Sequence, residues 1–233
     1  MEHENLVWPP PYKLIRHRKA RHVKLRATKN VGLQVTVPYR FNIKHLPAIL
    51  EEHREWIFTH LTRLRIGVPK TLPDELHLRA IDAVWRVSYM PTSGRLTLME
   101  RPQHELVVMG HWQDHEECFA KLNRWVKAKT KKYLHDLFLS VQSETQLKAE
   151  KIQIREQKSR WGSCSAKKSI TLNYRLIFLT RELVRHVMIH ELCHTVHMNH
   201  SPNFWNLVAQ FDLNWRDNRR ALKEAEQYIP NWL

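Results

Sequence analysis

One segment, HELCH at residues 190–194, restricts what this 233-residue chain can fold into more than any other. Two histidines four residues apart lie on the same face of an α-helix, with Cβ atoms about 5–6 Å apart. The apolar positions around them are Val187, Ile189, Leu192 and Val196. They predict a buried helix over residues 181–196, and buried histidines beside a buried glutamate are costly unless another group satisfies them. We therefore expect a metal ion there; the alternative is a polar core cluster without metal.

A catalytic zinc site requires a third protein ligand, and several histidines flank the motif. His186 precedes His190 by one turn, about 6 Å along the helix axis, which favours packing or a supporting role. His197 lies too far along the axis if the helix continues. His200 can reach back if the helix ends and the chain turns through Asn199, since asparagine tolerates the left-handed conformation. The spacing HExxHxxxxxH therefore ranks His200 first, ahead of the downstream Glu224 and Glu226.

The residue types in this pattern predict hydrolytic chemistry. Three imidazole nitrogens suit Zn²⁺. Glu191 follows the first ligand directly, so its carboxylate can reach a water on the metal without binding the metal itself. Zn²⁺ lowers the pKa of such a water towards about 7, and the glutamate takes its proton. We expect His190, His194 and His200 as ligands and Glu191 as the catalytic group, although a chain with 16 histidines acquires HExxH by chance often enough that the motif alone is only suggestive.

The charge and cysteine content restrict the partners and the compartment. Lys plus Arg is 38 and Asp plus Glu is 23, a net charge of +15. Such a surface attracts polyanions, acidic proteins or phosphate-bearing substrates, with a merely solvated basic surface as an equal alternative. The three cysteines form no CxxC pair, which favours a reducing compartment. With neither a signal-like N-terminus nor an apolar run as long as a membrane span, the expected location is the cytoplasm, away from membranes.

The periodicity of apolar residues predicts a mixture of helices and strands. The predicted elements, in order, are a β-hairpin over 13–38, a helix over 45–65, a small antiparallel sheet over 72–108, a helix over 113–140, strands over 151–155 and 170–176, and helices over 181–196, 203–211 and 216–229. This pattern predicts an α+β fold.

Four motifs in order resemble one known family, the YgjP-like metal-dependent hydrolases, which are related to the SprT-like and other zincin metalloproteases. The motifs are RWGSCS (160–165), ITLNYRL (170–176), HELCH (190–194) and NHSPNFW (199–205). The resemblance runs over most of the chain, apart from the N-terminal tail, and it does not assign His197.

The resemblance implies a zincin-like catalytic domain with a HExxH helix and a small antiparallel sheet, preceded by a smaller β-rich region. It also implies His190, His194 and His200 as metal ligands and Glu191 as the catalytic acid and base. We place the boundary so that residues 1–110 form the N-terminal β-hairpin, helix and β-rich region. Residues 111–233 then form the zincin-like metallohydrolase domain.

Two further residues are candidates for substrate binding. Arg160 can stabilise an anionic transition state or bind a substrate carboxylate or phosphate, the alternative being a structural ion pair. Asn173 lies in strand 170–176, which we expect to be an edge strand. In a zincin such a strand can bind an extended peptide by strand addition.

Three functions are compatible with these features. The first is a zinc-dependent metallopeptidase that hydrolyses peptide bonds in a peptide or protein substrate. The second is a metal-dependent nucleotide pyrophosphatase that cleaves a phosphoanhydride; the basic surface and Arg160 favour it, whereas ligation by three histidines disfavours Mg²⁺. The third is a DNA-associated protease or binding protein, with basic runs at 16–26 and 121–132 contacting phosphates.

Overall fold

A computed structural model describes residues 8–28, 31–63, 70–157 and 159–233. The chain divides into two compact units, residues 1–70 and residues 71–233. The boundary expected at 110/111 falls inside the second unit. The strands between residues 75 and 109 share one hydrophobic core with the helix that follows them, through side chains such as Leu106 and Leu122. The α+β fold class predicted from the sequence is confirmed.

The described residues of the first unit form three strands and two short α-helices. These are β1 (Tyr12–His17), β2 (Lys24–Thr28), β3 (Gly32–Pro38), α1 (Leu46–Glu52) and α2 (Arg54–Arg63). The predicted hairpin is confirmed for β2 and β3, which pair antiparallel, but wrong for β1, which pairs parallel with β3 on its other side. The helix predicted over 45–65 is two helices separated at His53, and residues 64–65 lie outside the described residues. Alternate residues of β3 form the core with the helices.

The second unit begins with a four-stranded sheet of β4 (Glu75–Leu78), β5 (Ala83–Met90), β6 (Thr97–Arg101) and β7 (Glu105–Met109). The strand order is β4-β5-β7-β6, and β5 and β7 pair parallel. The prediction of a wholly antiparallel sheet is therefore wrong at this pair. The chain passes from β5 to the outer strand β6 and returns by a tight turn, with Gln103 and His104 at positive φ, so that β7 enters between them.

The long helix α3 (His115–Thr145) connects the two sheets of this unit. Asp114 caps its start by accepting a hydrogen bond from the backbone N–H of Glu117 at 3.0 Å, which satisfies one of the free donors of the first turn. Buried side chains recur along α3 at helical spacing, including Leu122, Val126, Leu134 and Phe138. This apolar face packs into the core that also supports the HELCH helix.

The second sheet contains β8 (Lys151–Arg155), β9 (Gly162–Cys164) and β10 (Ser169–Asn173) in the order β8-β10-β9. The expectation that strand 170–176 lies at an edge is wrong, because β10 pairs parallel with β8 and antiparallel with β9. The two edges are β8 and β9, and β9 belongs to the RWGSCS segment. Residues 174–178 leave the sheet as a short 3-10 helix.

Three helices complete the second unit: α4 (Arg181–Cys193), α5 (Pro202–Phe211) and α6 (Trp215–Leu222). Helix α4 carries HELCH and ends three residues before the predicted residue 196. The last predicted helix, 216–229, is divided into α6 and a 3-10 turn at Ala225–Tyr228. Among the described residues, no helix combines the length and the apolar character needed to cross a membrane.

Candidate metal centre

Three imidazole rings meet at the end of α4. The Nε2 atom of His190 lies 3.2 Å from Nε2 of His194 and 3.1 Å from Nε2 of His200. All three candidate ligand atoms lie within 4.8 Å of one another. Nitrogens bound at about 2.0–2.1 Å to one tetrahedral Zn²⁺ are roughly 3.3 Å apart, so the two separations from His190 fit a single ion. In the part of the chain that the structure describes, this is the one cluster of three or more possible metal ligands.

The return of His200 to the helix depends on where α4 ends. The helix ends at Cys193, and the backbone N–H groups of Val196 and His197 both donate to the carbonyl of Cys193. The expected left-handed conformation of Asn199 is wrong, because its φ is not positive. Instead its side-chain oxygen accepts a hydrogen bond from the backbone N–H of Ser201 at 3.3 Å, just before α5 begins.

His197 contributes through its backbone. Its carbonyl accepts a hydrogen bond from Nδ1 of His194 at 2.9 Å. Because Nδ1 of His194 carries the proton, its Nε2 keeps a free lone pair directed towards the cluster. The His197 side chain is outside the group of candidate ligands. The spacing of the histidines did not assign His197, and this backbone contact gives it a place beside the cluster.

Two aromatic residues from the NHSPNFW segment orient the ligand rings. Phe204 is fully buried and stacks on His194 with ring centroids 4.5 Å apart. Trp205 stacks on His200 at 5.6 Å and on Trp215 at 4.5 Å. The ring of Trp205 is half-buried and supports a candidate ligand directly. The stacking limits the orientations available to both imidazoles.

The electrostatic environment favours neutral imidazoles. Burial lowers the pKa of His190 from 6.5 to about 3, and the neighbouring histidines and Arg219 act in the same direction. Burial also lowers the pKa of His200. Neutral imidazole is the form that binds a metal ion, so both rings are ready to act as ligands across the neutral pH range.

The carboxylate of Glu191 is held against strand β9. The residue is only 6% exposed, and burial raises the pKa of its carboxyl to about 8, while the nearby positive charge of Arg160 opposes that shift. A Cβ atom on Gly162 would stand 2.7 Å from Cγ of Glu191. The absence of a side chain at residue 162 therefore makes the space that the glutamate occupies.

A family model described as YgjP-like, metallopeptidase domain, matches residues 21–225, which is most of the chain. The chain belongs to the YgjP-like family. Its metallopeptidase domain makes it a metal-dependent hydrolase at the level of the family, and the cluster of three histidines is a group that could hold the ion.

The metallopeptidase zymogen of Pyrococcus abyssi abylysin is a solved structure that is similar over part of the chain, at 25% sequence identity and a TM-score of 0.33. The match covers 39% of this chain and 93% of the abylysin chain. No protein with a curated description matches this YgjP-like chain.

The two predicted substrate-binding residues occupy different environments in this YgjP-like protein. Arg160 is exposed, and no carboxylate among the described residues lies within ion-pair distance of its guanidinium. Asn173 is 3% exposed; its amide nitrogen donates to the carbonyls of Gln157 and Arg160 at 2.8 Å, and its oxygen accepts from the N–H of Arg175. Asn173 therefore holds the loop that carries Arg160, and its side chain has no surface to offer a substrate.

A buried hydrogen-bonded pair lies one helical turn before the first candidate ligand. His186 is 2% exposed, and its Nδ1 donates to Oδ2 of Asp212 at 2.5 Å. Both carboxylate oxygens of Asp212 also accept hydrogen bonds from the side chain of Asn218 at 3.1 Å. The sequence indicated a supporting role for His186, but no local pattern identified Asp212, which lies 26 residues away.

A cleft of about 550 Å³ opens beside the histidine cluster. This volume is in the usual range for a ligand-binding site. Besides His190 and His200, the residues that line it include Trp161, Gly162, His186, Glu191, Trp205 and Arg219. The cleft therefore brings together the HELCH helix, the edge strand β9 and helix α6.

Proposed function

We propose that this chain is a zinc-dependent peptidase that hydrolyses peptide bonds, with Glu191 as general base and then general acid. One observation carries the proposal: three imidazole Nε2 atoms converge beside a buried carboxylate at the wall of an open cleft. The choice of Zn²⁺ is supported by the donor set, because three neutral nitrogens suit this ion better than they suit Mg²⁺ or Ca²⁺.

The residues divide the chemistry between them. Zn²⁺ held by His190, His194 and His200 would polarise the scissile carbonyl and lower the pKa of a water molecule. Glu191 would accept the proton of the attacking water and transfer it to the leaving amine. Its raised pKa is typical of a carboxyl that exchanges protons near neutral pH. The exposed guanidinium of Arg160 would stabilise the negative charge of the transition state near Glu191.

The edge strand β9 is our proposed site for the peptide backbone. Asn173 N–H donates to the carbonyl of Trp161, and Ser165 N–H donates to the carbonyl of Ser169. In an antiparallel pair hydrogen-bonded residues alternate, so Gly162 and Cys164 direct their backbone N–H and C=O groups away from β10. An extended peptide can pair with those free groups, which would lay it beside Glu191.

The test compares wild type with Glu191→Gln after purification without chelator. We expect both proteins to retain near-stoichiometric zinc by elemental analysis, and only wild type to cleave a library of quenched fluorogenic peptides. The variant should lose at least about 10²-fold in kcat, the usual range for a general base. A wild-type protein that retains no metal after zinc has been supplied would refute the proposal.

The second candidate function is hydrolysis of a nucleotide phosphoanhydride. Arg219 and Lys223 line the cleft, and the positive charge of Arg160 acts on Glu191. These cations suit a polyphosphate. Release of pyrophosphate from nucleoside triphosphates, with no cleavage of the peptide library, would favour this candidate. A nucleic-acid partner and a cytoplasmic location stay predictions.

A further inference from the structure

Helix α6 places a cation in the wall of the cleft. The side chain of Arg219 is exposed and lines the cleft together with His190, His200 and Glu191. Its guanidinium carbon lies 4.8 Å from the centroid of the Trp205 ring, which in turn stacks on His200. The cation is thus attached to the same aromatic residue that supports a candidate metal ligand.

In the part of the chain that the structure describes, no acidic group pairs with this arginine. Among the described residues, no carboxylate lies within ion-pair distance of Arg219; the neighbouring acid of α6, Asp217, faces Arg220 at 3.6 Å. Of the residues that line the cleft, Glu191 alone is acidic, and it is assigned to the reaction. A guanidinium in a cleft without a carboxylate partner is a binding group for a ligand that brings its own negative charge.

Two contacts limit the freedom of Arg219. The preceding residue, Asn218, donates from its side chain to both carboxylate oxygens of Asp212, which is itself bound to the buried His186 of α4. The start of α6 is therefore attached to the helix that carries the candidate ligands. Stacking of the guanidinium on Trp205 restricts the side chain further, and a restricted group loses less conformational entropy when it binds a ligand.

We infer that Arg219 is a specificity-determining residue that binds an anionic oxygen group, a carboxylate or a phosphate, carried by the substrate close to the bond that is cleaved. This inference rests on the proposed function, because it places the anionic group beside the metal centre. For a peptide, the group is an acidic side chain or a free carboxyl terminus. For a nucleotide, it is a phosphate beyond the scissile anhydride.

The test measures binding by calorimetry on the zinc-loaded protein, so that turnover is not required. The probes are short hydroxamates, which chelate zinc, joined through spacers of increasing length to a carboxylate, to a neutral amide or to a phosphonate. At the spacer length that fits, we expect the best anionic probe to bind about tenfold more tightly than its amide counterpart. The Arg219→Ala variant should bind both equally, while Arg219→Lys should keep part of the difference because it keeps the charge.

Arg216→Ala is the matched control. Arg216 belongs to the same helix, stacks on Trp215 at 4.5 Å and is not among the residues that line the cleft. Arg216→Ala removes the same charge as Arg219→Ala, and it should leave the preference for the anionic probe over the amide probe unchanged. If the carboxylate probe binds wild type more tightly than the phosphonate probe, the site is assigned to acidic peptides. If the phosphonate probe binds more tightly, the site is assigned to phosphorylated substrates.

Two different failures can be told apart. Equal binding of anionic and neutral hydroxamates to wild type, or a preference that survives in Arg219→Ala, would overturn the role of Arg219 and leave the metal centre standing. Failure of every hydroxamate to bind would overturn the zinc site itself, and this inference with it.

Discussion

The side chain of Glu191 occupies the place where a side chain on residue 162 would stand. A Cβ atom on residue 162 would stand 2.7 Å from Cγ and 2.8 Å from Oε1 of Glu191, closer than non-bonded atoms approach. Glycine is required at residue 162 because Glu191 of the HELCH helix fills the space that a side chain on residue 162 would need. The edge strand β9 and the HELCH helix can therefore approach closely enough for the glutamate to reach the histidine cluster.

The first prediction concerns Gly162→Ala. The added methyl group would stand within 3.0 Å of Cγ, Cδ and Oε1 of Glu191, so the carboxylate must move. We expect near-normal thermal stability and zinc content, but a fall of about 10²-fold in kcat, since a displacement of about 1 Å in a catalytic group has that effect. Gly94→Ala is the control, because a Cβ there meets only Thr92 Oγ1 at 3.7 Å. Equal activity of the two variants would contradict this account of Gly162.

The second prediction concerns the third ligand. His200→Ala removes one of three converging nitrogens, so elemental analysis should show strong loss of zinc. Zinc at a concentration 100 times the Kd should also stabilise wild type by about 2.7 kcal/mol and so raise its Tm. The Tm of the variant should not rise. His197→Ala should keep its zinc, because only the backbone carbonyl of His197 contacts the cluster. A His200→Ala protein with full zinc content would exclude His200 as a ligand.

The third prediction concerns the buried hydrogen bond between His186 and Asp212. Asp212→Ala leaves His186 and the Asn218 side chain without their shared acceptor, and unsatisfied buried groups cost about 1–3 kcal/mol each, so we expect a loss of at least about 2 kcal/mol. Denaturation by urea should report that decrease in the free energy of unfolding. Asp217→Ala, which breaks an ion pair with Arg220 whose side chains are 76% and 79% exposed, should change it by less than about 1 kcal/mol. Similar values for the two variants would show that the buried pair contributes little.

The fourth prediction concerns the loop that precedes β9. Asn173→Ala removes three hydrogen bonds made by a side chain that is 3% exposed. Unsatisfied buried groups cost about 1–3 kcal/mol each, so we expect a loss of at least about 2 kcal/mol in urea denaturation. Asn206→Ala, an exposed change in α5, serves as the control and should have little effect. A variant as stable as the control would mean that water replaces the lost contacts.

The local parts of the candidate centre could be predicted from the sequence. The spacing of His190 and His194, with Glu191 beside the first, depends only on the geometry of an α-helix. The apolar residues around them predicted that the helix is buried. His200 could be ranked because a short connection limits how far the chain can travel. The turn itself was predicted for the wrong reason, since Asn199 acts through its side chain and not through a left-handed backbone.

The sequence by itself determined the helix, the spacing of its histidines and the α+β composition, because these depend on contacts between residues close together in the chain. Only the tertiary structure decided that β10 lies in the centre of its sheet with β9 at one edge, and that Asp212 meets His186. Only it brought Arg219 into the cleft. Strand order and long-range polar pairs depend on hydrogen bonds between distant segments, and the periodicity of apolar residues specifies which face of an element is buried without specifying its neighbour.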